Sequence, residues 1–160
     1  MLTLIQVYLI INQPKINMSN SSKPPVWFWV VSVVALVWNL MGVSAYLQQT
    51  MASDDLLSQM EKAVTDLISQ RPAWATAAFA IAVWGGALGS LLLLLKKKVA
   101  HIVLLLSLVG IIVQMIYNYF MAKSISDYGP GDHVMSVMIL GFGIYLVFFA
   151  KKGIQKGWLS

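Results

Sequence analysis

The sequence predicts an all-α membrane protein: a bundle of four transmembrane helices with an amphipathic outer-face helix between spans 1 and 2. Composition is the first reason, because 59% of the 160 residues are hydrophobic, only 11% are charged, and the mean hydropathy is +0.76. So little charged surface cannot coat a soluble globule. The second reason is the presence of four uncharged apolar runs of about 17–25 residues, the length typical of transmembrane helices.

Charged or helix-breaking residues bound each of these runs. The clearest is the second, which follows Pro72 and ends at three consecutive lysines, 96–98. The predicted spans form a transmembrane domain over 26–150, with tails at 1–25 and 151–160. We expect the spans at about 26–47, 74–95, 99–121 and 134–150.

Basic residues divide unequally between the two sides of this arrangement. Eight of the 11 lie in the tails and in the turn between spans 2 and 3, whereas the other three share the opposite side with all six acidic residues. Basic flanks stay in the cytoplasm, so both termini are expected there. The net charge of +5 is then explained by topology, and we expect no nucleic-acid partner.

The first 17 residues fit neither a span nor a signal peptide. No basic residue precedes their apolar run, and Pro14 interrupts it. Met18 opens a polar segment typical of the approach to a membrane helix. We expect translation to start at Met18, which makes residues 1–17 an upstream extension; a short interfacial helix is the alternative.

The loop between spans 1 and 2 carries the signals of an amphipathic helix from Ser53 to about Gln70. Ser53 precedes two acidic residues, Asp54 and Asp55, as in an N-cap followed by a first turn that complements the helix dipole. Apolar residues then recur at helical spacing up to Ile68. This helix either covers an outward-facing cavity or fills space at the membrane surface.

The predicted spans lack the groups on which most chemistry depends. They contain no Asp, Glu, Lys or Arg, and the chain has no cysteine. We therefore expect no catalytic residues, no metal site, no cofactor and no enzymatic activity. Proton-coupled or ion-coupled transport is disfavoured, because it usually depends on a charged residue inside the membrane.

Small residues recur on one face of span 2, where close helix contact is typical. We expect this face to mediate homo-oligomer formation, beside contacts of the protein with the lipid bilayer. The residues of this face are Ala78, Ala82, Gly85, Gly86, Gly89 and Ser90.

Amide side chains of spans 1 and 3 lie at similar depth on predicted inward faces. They are Asn39, Gln114 and Asn118, accompanied by the aromatic residues Trp38, Trp84 and Tyr117. One interpretation is hydrogen bonding between helices, which avoids exposing amides to lipid. The other is a polar cavity open towards the outer face, in which the amides bind a solute hydroxyl and the aromatic rings form flat walls.

Several segments resemble a family of small bacterial inner-membrane proteins often described as sugar transporters. The matching segments are 38–42, 72–79, 85–89, 128–131 and 156–158. The resemblance implies a bacterial inner-membrane location and a sugar-like solute. Our first functional hypothesis is uncoupled permeation or binding of a small neutral solute by a homo-oligomer. The alternative is a non-transporting membrane subunit or an assembly factor for a partner membrane protein.

Overall fold

The computed structural model of the protein describes residues 23–51, 53–60, 62, 65, 68, 69, 71–121 and 130–160. Its described residues form four long helices and one short one. We call the end of the bundle that carries Lys96 and Lys151 the lysine end and the opposite end the loop end. The helices are α1 (Val26–Thr50), α2 (Asp54–Ser58), α3 (Ala73–Leu94), α4 (Val99–Ile116), continued by a π-helical turn (Tyr117–Met121), and α5 (Pro130–Gln155).

All four long helices are long and apolar enough to cross a membrane. The predicted four-helix architecture is therefore confirmed, and the chain is a multi-pass integral membrane protein. The fourth span is longer at both ends than predicted. Helix α5 begins at Pro130, four residues before the predicted start at 134, because proline suits the first turn of a helix. It continues past Lys151 and Lys152 to Gln155, since lysine is a good helix former.

Helix α3 is the central helix of the bundle, and it packs against both α1 and α4. Small side chains allow this double contact because they let the helix backbones approach closely. A Cβ at Gly86 would collide with the Asn39 side chain of α1, and a Cβ at Gly89 would come within 2.6 Å of Leu104 of α4. The small residues of α3 are thus buried inside one copy of the protein.

This packing corrects the prediction that the small face of α3 mediates homo-oligomer formation. Ala78, Ala82 and Ser90 are buried, as are Gly86 and Gly89. Gly85 faces Ser107 of α4. The sequence predicts that this face of α3 contacts another helix. It does not show whether that helix belongs to the same chain or to a second copy.

Helices α3 and α4 approach most closely around Gly110. A Cβ at Gly110 would lie 2.8 Å from the Ala82 nitrogen and 2.9 Å from the Ala78 carbonyl oxygen. One turn of α4 away, the Ser107 hydroxyl donates a hydrogen bond to the Ala82 carbonyl. Backbone groups therefore fix the distance between these two helices.

An aromatic cluster closes the lysine end. Phe28 of α1 is completely buried and stacks on Phe149 of α5, with ring centroids 5.3 Å apart. The C-terminal segment adds Trp158, whose ring lies 5.7 Å from Phe28, and Leu159, which is buried against Gly153. Helices α1 and α5 are thus joined at this end through tightly packed side chains.

The turn between α3 and α4 is a Schellman motif that also binds the C-terminal segment. The Lys97 N–H donates to the Leu92 carbonyl and the Lys96 N–H to the Leu93 carbonyl, each at 2.9 Å. Lys96 has a positive φ of 55°, a conformation that favours glycine. The Ser160 N–H donates to the Lys96 carbonyl at 2.7 Å, and the Lys98 N–H donates to the Ser160 carbonyl at 3.2 Å.

Helix α2 begins as predicted but is shorter. The Ser53 hydroxyl accepts a hydrogen bond from the Leu56 N–H at 3.4 Å, as an N-cap does. The helix ends at Ser58 and is followed by a turn at Gln59. Beyond this turn Lys62, Thr65, Ile68 and Ser69 are again helical, so the predicted helix is interrupted at Gln59. The predicted upstream extension at 1–17 and the rest of 61–70 lie outside the described residues.

Candidate functional site

A cavity lies among α1, α3, α4 and α5 in the half of the bundle nearer the loop end. Its volume is ≈ 420 Å³, within the range of about 300–1,000 Å³ typical of small-molecule sites. Along α1 it extends from Trp38 to Gln49, or about 17 Å of helix. The described residues that line it include no charged side chain. The lining comprises Trp38, Asn39, Met41, Gly42, Ala45, Gln49, Phe79, Ala82, Val83, Ile111, Gln114, Met115, Asn118, Met135, Ser136 and Ile139.

Asn39 lines this cavity, but its amide is already engaged. Its Nδ2 donates to the Ala35 carbonyl at 2.8 Å and to the Ser90 hydroxyl of α3 at 3.2 Å. Its Oδ1 packs against Gly86, where a Cβ would collide with it. Asn39 therefore serves as an interhelical hydrogen-bonding residue between α1 and α3.

Gln114 and Asn118 differ from Asn39 in this respect. They lie one turn apart on the same face, where α4 passes into its π-helical turn. The buried Oδ1 of Asn118 has no hydrogen-bond partner among the described residues, and the Gln114 side chain makes no hydrogen bond within the same set. Buried amides are normally satisfied. This part of the cavity therefore offers hydrogen-bonding groups that the described part of the protein leaves unused.

Tyr117, the first residue of the π-helical turn, does not line the cavity. Tyr117 is buried and packs edge-to-face on Trp74 of α3, with ring centroids 5.5 Å apart. Its N–H still donates to the carbonyls of Val113 and Gln114, four and three residues earlier, as at the end of an α-helix. π-Helical turns occur frequently at functional sites.

The Arg71 side chain connects α3 to α1 at the loop end of the cavity. Its Nη1 donates to Gln49 Oε1 at 3.0 Å, and its guanidinium lies 5.2 Å from the centre of the Phe79 ring. Both partners line the cavity. This contact therefore ties α1 to the start of α3 along one wall of the cavity at its loop end.

At the other end, the cavity adjoins a much smaller one. This second cavity has a volume of ≈ 30 Å³ and shares Trp38, Asn39, Ile111 and Ile139 with the first. Towards the lysine end it meets Leu146 and then the aromatic cluster around Phe28. The bundle is therefore closed towards the lysine end and hollow towards the loop end.

The side of the cavity between α1 and α5 is open. Three lining residues are also exposed on the outside of the bundle: Met41 by 65%, Met135 by 50% and Ile139 by 37%. On the opposite wall, Phe79 and Ala82 are buried. Residues that line a cavity and are also exposed mark its mouth, so the mouth lies between α1 and α5.

The structure brings together four of the six residues expected to form a site. Trp38, Asn39, Gln114 and Asn118 line the same cavity. Trp84 does not, because its side chain is 44% exposed on another face of α3. Tyr117 lies behind the wall, against Trp74. Both were expected in the cavity as flat aromatic walls beside the amides, but the sequence does not show which face of a helix each ring occupies in the bundle.

The expectation missed the methionines at the mouth and the polar contribution of α5. Met41 and Met135 appear in the sequence only as apolar residues of long spans, and nothing in their spacing separates them from lipid-facing neighbours. Ser136 is the one polar residue in this part of α5, which is the signal that could have identified it.

Comparisons with protein-family models, with curated proteins and with solved structures gave no match.

Proposed function

We propose that this membrane protein binds a small uncharged solute in the cavity, with Gln114 and Asn118 as its hydrogen-bonding residues. The observation that carries the proposal is the contrast among the three amides. Asn39 makes two hydrogen bonds, whereas Gln114 makes none and Asn118 leaves a buried oxygen unpaired among the described residues. A ligand group that pairs with the buried Asn118 oxygen removes the cost of leaving it unsatisfied, and Gln114, one turn away, can bond the same ligand.

The chemistry of the lining supports an uncharged ligand. A charged ligand would have to leave water for a site whose described lining carries no charged side chain, which is strongly unfavourable. The guanidinium of Arg71 at the loop end is engaged by Gln49 and Phe79. The lining has five polar side chains among eleven apolar residues. Asn39 is bonded to α3 and Gln49 accepts from Arg71, so Gln114, Asn118 and Ser136 are the polar groups that remain for a ligand. This composition suits a ligand with few hydroxyl or amide groups and a larger apolar surface. The sugar-like solute implied by the family resemblance is one candidate class.

Binding fits the geometry better than an open channel does. The aromatic cluster around Phe28 and Phe149 closes the lysine end, so uncoupled permeation requires that cluster to separate. We further propose that the lysine end faces the cytoplasm of a bacterium and that the bundle lies in its inner membrane. The lysines at this end support that orientation through the usual retention of basic flanks.

The orientation is tested by cysteine labelling, since the chain has no cysteine of its own. Ser58→Cys is expected to react with a membrane-impermeant thiol reagent in cells with a permeabilised outer membrane. Ser160→Cys is expected to react only after the inner membrane is disrupted. Labelling of Ser160→Cys in intact spheroplasts would reverse the proposed orientation.

The binding function is tested by ligand-induced thermal stabilisation of the protein in nanodiscs. A panel of uncharged sugars, polyols and neutral amphiphiles is screened against the wild type, followed by Gln114→Leu and Asn118→Leu. We expect at least one compound to raise the Tm of the wild type and to lose most of that effect in both variants. Asn39→Leu is the matched control and should retain the effect. Stabilisation that persists without Gln114 and Asn118 contradicts the proposal.

A further inference from the structure

We infer that the cavity is entered from the bilayer and holds a single-chain amphiphile with an uncharged, hydrogen-bonding head. This inference rests on the proposed function and specifies its ligand. It assigns the mouth between α1 and α5 to the passage of an alkyl chain. Three features of the molecule support this assignment: the depth of the mouth, the packing on either side of it, and the position of the polar groups.

The mouth opens into the hydrocarbon part of the membrane. Helix α1 has 25 residues, or about 37 Å of helix, which exceeds a hydrocarbon core of roughly 30 Å. Met41 lies about 22 Å along this helix from Val26 and about 14 Å from Thr50 at 1.5 Å per residue. It therefore lies within the core, where its exposed side chain meets lipid chains.

The packing of α1 and α5 makes this mouth a defined opening. Nearer the lysine end the two helices are joined by ring contacts, from Phe28 with Phe149 to Trp38 with Phe142, the latter at 5.7 Å. On the loop-end side of Trp38, the cavity itself separates the two helices. The lining residues exposed on the outside of the bundle, Met41, Met135 and Ile139, all lie on these two helices. Among the described residues, the gap between α1 and α5 is thus a lateral route into the cavity.

Polar and apolar groups are separated across the cavity. The mouth carries Met41, Met135 and Ile139, all apolar, and methionine adapts readily to flexible chains. Gln114 and Asn118 lie on α4, which does not contribute to the mouth. An amphiphile whose head reaches these amides and whose chain leaves between Met41 and Met135 satisfies both surfaces. A compact polyhydroxylated solute would leave hydroxyls against the methionines and Phe79.

The test measures binding of radiolabelled monoolein, a monoacylglycerol with an uncharged head, to the protein in nanodiscs, with radiolabelled glycerol as the compact counterpart. We expect saturable monoolein binding at one site per chain and no glycerol binding. In the Gln114→Leu/Asn118→Leu double variant, the affinity for monoolein should fall about tenfold or more. Ala45→Trp, which fills the cavity, should abolish saturable binding.

The mouth is tested with an adjacent pair of substitutions on α1. Met41→Trp places a bulky ring at the mouth, whereas Leu40→Trp places the same ring on a neighbouring exposed position that does not line the cavity. Met41→Trp should slow monoolein association at least about fivefold relative to Leu40→Trp, since the chain must pass this position. Thermal unfolding of each variant shows whether it is folded.

The outcomes separate the inference from the proposed function. Absence of saturable monoolein binding overturns the inference, and so does equal association with Met41→Trp and Leu40→Trp. If glycerol or a sugar binds and depends on Gln114 while monoolein does not bind, the inference fails and the proposed function stands. Monoolein binding that survives both Ala45→Trp and loss of Gln114 and Asn118 overturns both, because the site then lies on the outer surface.

Discussion

Replacing Gly110 with alanine tests the contact that fixes α4 against α3. The added Cβ would lie 2.8 Å from the Ala82 nitrogen, 2.9 Å from the Ala78 carbonyl oxygen and 3.2 Å from the Ala82 Cα. All three are backbone atoms, which cannot turn aside as the end of a flexible side chain can. The helices must therefore separate, and Ala82, which lines the cavity, must move with α3.

The size of the effect follows from two opposing terms. Overpacking of a tight contact costs about 1–3 kcal/mol, and contact with backbone atoms on the partner helix places Gly110→Ala at the upper end. Alanine recovers up to about 1 kcal/mol because it has a higher helix propensity than glycine. The expected net loss is about 2 kcal/mol of unfolding free energy, or a fall in Tm of about 4–8 °C for a chain of this size.

Gly141 provides the matched control. It also lies within a helix, yet a Cβ there meets nothing within 4 Å. Gly141→Ala should therefore gain up to about 1 kcal/mol from helix propensity alone. Both variants can be compared by thermal unfolding in one detergent, monitored by tryptophan fluorescence. If Gly110→Ala is as stable as Gly141→Ala, α3 and α4 are not in backbone contact at Gly110.

Three further substitutions test other parts of the bundle. Asn39→Leu should lower the unfolding free energy by about 1 kcal/mol, because it removes the hydrogen bond to Ser90; an unchanged chemical denaturation midpoint would contradict this. Lys96→Gly should raise Tm, because glycine adopts the positive φ of this position without the strain of about 1 kcal/mol that a side chain adds. A lower Tm would exclude the left-handed conformation at residue 96. Trp158→Ala should cost about 3 kcal/mol by opening a gap beside Phe28, whereas retention of the wild-type Tm would show that the C-terminal segment is not packed.

The sequence was sufficient for the parts of the fold that depend on length and periodicity. Apolar runs and lysines located the four long helices, and small residues such as Gly86 and Ala82 identified helix faces in close contact. It did not identify which helix each face would meet. Glycine and alanine permit close approach to any neighbouring helix, so their presence does not name the partner. In the structure α3 is central, and its small residues contact helices of the same chain.

Local sequence was a weaker guide to individual aromatic residues. Phe28 lies between Trp27 and Trp29 in a segment suited to the membrane interface, yet it is completely buried against Phe149 and Trp158. Its partners lie more than a hundred residues away along the chain, so the local sequence pattern does not predict the contact. Tyr117 was expected to form a wall beside the amides, but it packs against Trp74 of α3.

For the site, too, the sequence predicted which helix faces point inward but not which residues they meet. Periodicity brought Asn39, Gln114 and Asn118 to inward faces, and all three line the cavity. Whether each amide is bonded within the protein depends on a partner on another helix, such as Ser90 opposite Asn39. The sequence does not show which residues of two helices face each other. The structure shows that Asn39 forms an interhelical hydrogen bond, whereas Gln114 and Asn118 are candidate ligand-binding residues.

Native mass spectrometry tests most directly whether Gln114 and Asn118 hold an uncharged ligand in the cavity. The protein is released straight from its membranes into the spectrometer, so the ligand need not be identified beforehand. We expect the wild type and Asn39→Leu to carry the same bound small molecule. The Gln114→Leu/Asn118→Leu variant, with its fold verified by thermal unfolding, should have lost it. A wild type without any bound molecule, or a molecule retained equally after loss of both amides, would contradict the proposed binding site.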